Sequence, residues 1–184
     1  MVSGKVGNRG FRRALLWCGI LMAIVALGGC KRSGQQKYKY SDILDEPCMT
    51  AFNAINRDEA KVLEAQLRKG VDPDVRCWDQ TSLLHAAAGM GKPKCARALI
   101  EYGADINIEG PEGTPLHEVA RYYSELGHEV AAILIEGGAN LEVQDADGLT
   151  PLERARLEGN VKVTHVIENA IESRKSSGDI AEEE

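Results

Sequence analysis

The chain has 184 residues, of which 43% are hydrophobic and 27% charged, and a formal net charge of −6. This length suits one continuous domain with flanking segments rather than several domains. The first 29 residues carry four basic and no acidic side chains, so the remainder stands near −10. Because nucleic-acid binding requires a basic surface that displaces counterions from phosphates, this charge balance argues against a nucleic-acid partner.

The N-terminal segment has the pattern of an export signal. Four basic residues precede an apolar run over residues 14–27: Lys5, Arg9, Arg12 and Arg13. The run ends in LGGC at 27–30, which resembles the lipobox of bacterial lipoproteins, where the signal is cut before the cysteine and the cysteine is acylated. An uncleaved signal anchor is the alternative, but the run is shorter than the roughly 20 residues that cross a bilayer comfortably. We expect residues 1–29 to be removed and lipid to be attached at Cys30.

The expected lipid implies a location. Acyl chains contribute about 0.8 kcal/mol per buried methylene, so two or three chains hold a protein on a membrane that it does not span. We expect a lipid-anchored, periplasm-facing protein of the bacterial cell envelope. Lys31, rather than aspartate, follows the cysteine, which favours the outer membrane over the inner membrane. Residues 30–47 comprise the lipidated cysteine and a polar tether without sustained apolar periodicity.

Two short motifs recur in step after the tether. The first reads SLLHAAA at 82–88, TPLHEVA at 114–120 and TPLERA at 150–155. The second is Gly-x-Asp or Gly-x-Asn, with glycines at 70, 103 and 138 that are 33 and then 35 residues apart. A period of this length is typical of stacked copies of one supersecondary unit.

His117 and Glu118 raise the alternative of a metal-dependent hydrolase, with His128 as a further ligand. A zinc peptidase helix carries H-E-x-x-H, because two imidazoles four residues apart converge on the metal while the glutamate activates water. Arg121 occupies the fifth position, and a guanidinium has no lone pair to donate. The sequence also lacks a phosphate-binding loop, a nucleophile elbow and a dinucleotide glycine pattern. We therefore expect no enzyme activity, no bound metal and no cofactor.

The recurring motifs, together with DGLTPL at 147–152, resemble the ankyrin-repeat family. The resemblance implies an all-α solenoid of about four helix-turn-helix repeats with short β-hairpin or finger loops. We expect the repeat domain at 48–173, with repeats at about 48–79, 80–112, 113–147 and 148–173, and a disordered acidic tail at 174–184. The first repeat lacks the T-P-L-H start and the last lacks the Gly-Ala-Asp ending, as expected of terminal capping repeats.

The recurring residues have expected structural roles. A Thr-Pro pair caps a helix and supplies a first residue that needs no amide hydrogen, as expected at Thr114, Pro115, Thr150 and Pro151. Second helices are expected to end at glycines in the left-handed conformation, namely Gly70, Gly103 and Gly138. In the family, the T-P-L-H imidazole bridges backbone groups of adjacent repeats. The resemblance implies that role for His85 and His117, and it places His128 in the family's G-H position.

Three cysteines follow the expected lipid site. Cys95 takes an apolar position in the second helix of repeat two, so we expect a buried free thiol. Cys48 precedes the first helix and Cys77 lies in the next finger, on the same side of a solenoid. A disulfide between them is one alternative and two separate thiols the other, because the sequence does not give the Cα distance that a disulfide requires.

Ankyrin arrays bind proteins through the finger tips and the concave face of the first helices, so unusual residues there are binding candidates. Trp78 either anchors a partner or folds back over repeat one. An insertion at 121–126 either protrudes or extends the first helix of repeat three. Its three candidates either bind a partner or pack on the adjacent repeat: Arg121, Tyr122 and Tyr123. Glu109 and Glu112 either pair with a basic partner or are solvated.

The resemblance implies a protein-binding module without catalysis, held on a membrane by its N-terminal lipid. We expect one protein partner, no nucleic acid, no small-molecule substrate and a chain that is monomeric apart from its partner. Two roles stay open for this module. One is a scaffold or helper of an envelope enzyme, and the other is an immunity-type inhibitor that masks a toxic effector.

Overall fold

A computed structural model describes residues 47–77 and 80–179 of the chain. Eight helices lie in these ranges: α1 (Pro47–Asn56), α2 (Ala60–Arg68), α3 (Leu83–Gly89), α4 (Pro93–Glu101), α5 (Pro115–Arg121), α6 (Gly127–Glu136), α7 (Pro151–Leu157) and α8 (Val161–Asp179). None of these helices is both long and apolar enough to span a bilayer. The expected signal, Cys30 and the tether up to residue 46 lie outside the described residues.

The helices pack as four successive pairs, α1 with α2 through α7 with α8. The first helices also pack against one another in chain order, and so do the second helices. The two rows form one stack, because no pair can bury its apolar face alone. The all-α repeat architecture predicted from the sequence is therefore confirmed, with one pair in each predicted repeat.

A single hydrophobic cluster runs through all four pairs. Its largest members in the second helices are fully buried: Leu63, Leu99, Leu134 and Ile167. The first helices contribute smaller side chains such as Ala87 and Ala120, which let neighbouring repeats approach closely. Since burying a leucine or isoleucine stabilises the folded state by about 1.5–3 kcal/mol, the second helices hold adjacent repeats together.

The expected helix ends are present. Thr150 Oγ1 accepts a hydrogen bond from the Glu153 amide, and the Glu153 carboxylate accepts one from the Thr150 amide at 2.8 Å. Pro115 and Pro151 occupy the first helical position after Thr114 and Thr150. The glycines that follow the second helices have φ of +91°, +89° and +99°, at Gly70, Gly103 and Gly138. Residues with a Cβ rarely adopt this conformation, which explains why the repeats share a glycine at this point.

The structure decides how the insertion in repeat three is accommodated. Helix α5 has seven residues, as do α3 and α7, so the insertion does not lengthen the first helix. Tyr122 has φ −100° and ψ 120°, an extended conformation that ends α5. Residues 122–126 therefore form a longer turn between α5 and α6.

The predicted disordered tail is wrong for residues 174–179. Helix α8 continues through Asp179, whereas residues 180–184 lie outside the described part of the chain. Arg174 donates a hydrogen bond to the carbonyl oxygen of Ala139 at 3.1 Å, which fastens this end of α8 to the preceding repeat. The segment is helical because it continues a helix that is already packed, and adding residues to a formed helix costs much less than starting one.

Candidate protein-binding surface

The three finger loops are joined to one another by a ladder of side-chain to backbone hydrogen bonds. Asp74 accepts from the backbone amide of Asp105 at 2.9 Å, and Asn107 accepts from the amide of Asn140 at 2.8 Å. A second hydrogen bond also shapes each loop, such as that from the Asn107 amide to Asp105 at 2.9 Å. Each finger therefore positions the next, so groups at the tips are held in a fixed arrangement.

The outer edge of the fingers is acidic. Five carboxylate residues are exposed along it, on three successive fingers: Asp72, Asp105, Glu109, Glu142 and Asp147. Arg76 is also exposed, but its guanidinium donates to the carbonyl oxygens of Gln80 and Glu109. Arg76 keeps its positive charge, but the five carboxylates outnumber it, so the described part of this edge presents net negative charge to solvent. We call these five carboxylate residues the acidic finger edge.

Arg121, Tyr122 and Glu112 form one cluster on repeat three. Arg121 Nε lies 3.2 Å from the Glu112 carboxylate, and the Tyr122 hydroxyl donates to that carboxylate at 3.3 Å. Burial, followed by the charges of Glu118 and Glu112, raises the pKa of Tyr122 well above its usual range. A Cβ added to Gly89 would lie 3.4 Å from Tyr122 Cδ2, so the ring packs on repeat two. These side chains are partly buried and already contact one another.

Tyr123 differs from this cluster. Its side chain is 75% exposed in the turn after α5. Glu109 is exposed at a finger tip, where it belongs to the acidic finger edge. Trp78 lies outside the described residues. Of the six candidate contacts, the structure thus presents Glu109 and Tyr123 to solvent and brings Arg121, Tyr122 and Glu112 together.

Behind the acidic edge lies a buried ion pair that the sequence interpretation did not include. Arg154 donates to the Asp145 carboxylate at 2.9 and 2.7 Å, and it also contacts the exposed carboxylate of Asp147. Burial alone would raise the pKa of Asp145, but hydrogen bonds from Arg154, Leu149 and Asp147 hold it below its usual value. One signal was available: Arg154 occupies the position where the corresponding helix of repeat two has Ala86.

His85 and His117 each connect two repeats. His85 Nε2 lies 3.0 Å from the carbonyl oxygen of Gly113, and His117 Nε2 lies 3.1 Å from that of Leu149. Because a carbonyl oxygen only accepts, each Nε2 carries the proton. The other nitrogen of His117 then accepts from the Thr114 amide at 3.1 Å. Both nitrogens of the imidazole in repeat three are thus used within the fold.

The pKa of His117 is lowered, chiefly because burial disfavours the charged imidazole, although the hydrogen bond to Leu149 acts in the opposite direction. A lowered histidine pKa stabilises the fold fully above the unfolded value of about 6.5, and this contribution declines as the pH falls below that value. We expect the melting temperature to fall between pH 7.5 and pH 5.5, and the His117→Gln variant to show a weaker fall. An equal pH dependence in both proteins would contradict this assignment.

The remaining metal-ligand candidates do not converge. In residues 47–77 and 80–179, no group of three His, Cys, Asp or Glu residues is arranged to hold a metal ion. His128 is the second residue of α6, and its Nδ1 is buried without a hydrogen-bond partner in this part of the chain. His117 and His128 are therefore not arranged to hold one metal ion together in this part of the chain.

The sequence left open whether Cys48 and Cys77 form a disulfide or remain separate thiols. Cys48 and Cys77 form a disulfide with a Cα–Cα distance of 6.2 Å, which ties α1 to the first finger. Cys95 is a buried free thiol. Burial, with a smaller effect from Asp58, raises the pKa of Cys95 to about 11, so the reactive thiolate is scarce at neutral pH.

The stacked helix pairs and finger loops define a helical-repeat solenoid. The family described as ankyrin repeats (3 copies) matches residues 49–145, which is more than half of the chain. The chain therefore belongs to the ankyrin-repeat family.

Several curated proteins share the repeat segment. The ADP-ribosylation factor GTPase-activating protein AGD4 of Arabidopsis thaliana is 34% identical over 129 residues, which cover 64% of this chain and 15% of that protein. Human Rabankyrin-5 is 37% identical over 117 residues, covering 58% of this chain and 10% of its own length. Human Ankyrin repeat and SOCS box protein 9 is 37% identical over 70 residues, which cover 38% of this chain and 23% of that protein. The chain thus spans a small part of each relative, and the similarity concerns the repeats.

Proposed function

We propose that this chain is a protein-binding module without catalysis of its own, and that its acidic finger edge binds a partner with a basic surface. Membership of the ankyrin-repeat family supports a protein partner. The observation that carries the choice of partner is the row of five exposed carboxylate residues on three fingers joined by hydrogen bonds. A row of like charges with fixed spacing attracts a complementary surface and speeds its association.

Internal ion pairs of repeats three and four hold two arginines behind the acidic finger edge. Arg121 is neutralised by Glu112 and Asp145, and Arg154 by Asp145 and Asp147. These arginines balance charge behind the fingers. Asp147 of the acidic finger edge contacts Arg154, whereas the other four edge carboxylates form no ion pair with another described residue. The groups available to a partner are then the finger carboxylates, with Trp78 beside them in sequence.

We also propose that the repeats are held on a membrane of the bacterial envelope through lipid on Cys30. The support is the LGGC sequence after a basic and apolar segment. The Cys48–Cys77 disulfide adds to it, because disulfides persist mainly in oxidising compartments outside the cytosol. In this location the module acts as a scaffold that holds a partner near the membrane.

Partner capture tests the acidic edge. Full-length bait carrying Glu109→Lys and Glu142→Lys is expected to recover about tenfold less partner than the unchanged bait, because both exposed charges are reversed at the docking edge. The matched control is Glu101→Lys with Glu136→Lys, which makes the same charge change at exposed ends of second helices. Quantitative mass spectrometry of the captured proteins is the measurement. Equal loss with both baits would contradict a role for the fingers.

Lipid attachment is tested separately. Cells fed labelled palmitate are expected to label the full chain, and the Cys30→Ser variant is expected to lose the label and leave the membrane fraction. Labelling that survives the substitution would overturn the anchor without affecting the finger edge. Deletion then separates the two roles: loss of an envelope activity fits a scaffold, whereas sensitivity to sibling cells fits an immunity-type inhibitor.

A further inference from the structure

Large apolar side chains are exposed at the turns that join the two helices of repeats three and four. The exposed fractions are 75% for Tyr123, 39% for Leu126, 68% for Leu157 and 76% for Val161. We call these four residues the turn patch. In the described residues, the other large apolar side chain exposed to this degree is Val62, at 40%, in repeat one.

The two turns that carry the patch lie on neighbouring repeats whose helices contact each other beside the turns. The side-chain amide of Asn160, between Leu157 and Val161, donates to the carbonyl oxygen of Val119 at 3.1 Å, near the end of α5. A Cβ added to Gly127, next to Leu126, would lie 3.9 Å from Val163 Cγ2. The turn patch is therefore one surface on neighbouring repeats. Helices α5 and α7 each separate it from the finger that precedes them.

The charges around the patch differ between its two sides. Glu125 and Glu129 are exposed on the repeat-three side, and Lys162 is exposed on the repeat-four side. None of the three forms an ion pair or a side-chain hydrogen bond with another described residue. Two other charges nearby are already paired. Glu158 lies 3.6 Å from Arg154, and Arg156 lies 2.6 Å from Glu168.

We propose that the turn patch is a two-fold interface between two copies of this chain, which differs from the monomer expected from the sequence. A two-fold contact requires a self-complementary surface, in which each side of the patch meets the other side on the second copy. Rotation about an axis through the patch places apolar groups on apolar groups and Lys162 of one copy opposite Glu125 of the other. This pairing of unpartnered charges selects a second copy over a lipid surface.

The interface is weak in solution and stronger on a membrane. Four exposed side chains cover much less than the roughly 1,600 Å² of a standard protein interface. Anchoring both copies to one membrane raises their effective concentration without a new contact. The interface goes beyond the proposed function because it uses the opposite edge of the repeats. It leaves both acidic finger edges free, so the pair presents two partner-binding edges.

Sedimentation velocity on residues 39–184 tests the proposal independently of lipid and partner. This segment includes every described residue, and with them the hydrophobic cluster and the disulfide. The average mass is expected to rise from one copy towards two as the concentration enters the high micromolar range. Lys162→Glu alone and Glu125→Lys alone are each expected to raise the dissociation constant roughly tenfold, because each variant creates two like-charge contacts.

An equimolar mixture of the two variants gives the decisive result. In a mixed pair both contacts join opposite charges again, so the mixture is expected to associate about as strongly as the unchanged chain. The matched control is Lys61→Glu, since Lys61 is the second residue of α2 as Lys162 is of α8. It is expected to leave association unchanged.

A single-copy species at every concentration overturns the proposal. So does a mixture that associates no better than either variant alone. Binding of the 39–184 segment to phosphatidylethanolamine vesicles without self-association, lost in Leu157→Ser but kept in Val62→Ser, overturns it in favour of a lipid contact. Circular dichroism of each variant shows that the fold is retained.

Discussion

Replacing Asp145 with alanine is expected to lower the free energy of unfolding by about 3–5 kcal/mol, because the buried guanidinium of Arg154 then loses its principal partner. The Asp145 side chain is fully buried and accepts two hydrogen bonds from Arg154. It also accepts from the backbone amides of Asp147 and Leu149, at 2.9 and 3.1 Å, which shape the finger before α7. Urea unfolding monitored by circular dichroism at pH 7 measures the loss.

Asp147→Ala is the matched control. Its carboxylate also contacts Arg154 but is 64% exposed, so its removal is expected to cost less than about 1 kcal/mol. Equal losses in the two variants would contradict the assignment of Asp145 as the principal partner.

The stabilisation that the Asp145–Arg154 ion pair provides is expected to depend on pH. The pKa of Asp145 is lowered in the folded chain, so its contribution is complete above the unfolded value of about 3.9 and is lost as the pH falls through the folded value. The stability difference between the unchanged chain and Asp145→Ala should therefore be large at pH 7 and shrink below about pH 4. A difference that is constant down to pH 3 would assign the loss to packing rather than to charge.

Removing the disulfide is the second change with a large expected effect. The Cys48–Cys77 bond joins residues separated by 29 positions, and closing a loop of this length stabilises the fold by about 3–4 kcal/mol in the chain-entropy account. We expect a variant with both cysteines changed to alanine to lose this amount, with a loosened first repeat. Thermal unfolding followed by circular dichroism measures the change.

Reductant supplies the control for this prediction. It should destabilise the unchanged chain to the same extent as the double substitution and leave the double variant unaffected. Cys95 stays buried and free in both proteins, so it does not contribute to the difference. A reductant effect in the double variant would assign the loss to something other than the Cys48–Cys77 bond.

Particular elements show why the insertion and the tail were harder to predict than the repeats. Seven-residue first helices recur because Thr-Pro or Ser-Leu starts each one and the same apolar positions must face the core. The turn at 122–126 and the helical segment at 174–179 depend on contacts with other repeats. Tyr122 packs near Gly89, and Arg174 reaches the carbonyl oxygen of Ala139. Local sequence does not contain those partners.

The candidate binding residues also include some that the sequence could place and others that only the structure could place. Exposure of Glu109 at a finger tip follows from its place in a loop, which the repeat period locates. Whether Arg121 and Tyr122 bind a partner or pack inside the fold does not follow from the sequence, because the residue types that dominate interfaces also pack well inside a fold. Distances to Glu112 and Asp145 assign both side chains to internal contacts.

The amino-acid sequence by itself determined the repeat period, the helix starts, the glycine helix ends and the class of fold. These features depend on backbone chemistry and apolar spacing within a single repeat. Only the tertiary structure decided the pairing of Cys48 with Cys77, the buried partnership of Asp145 with Arg154 and the turn patch on repeats three and four. Each of these depends on distances between side chains from different loops, helices or repeats, and such distances arise only when the repeats stack.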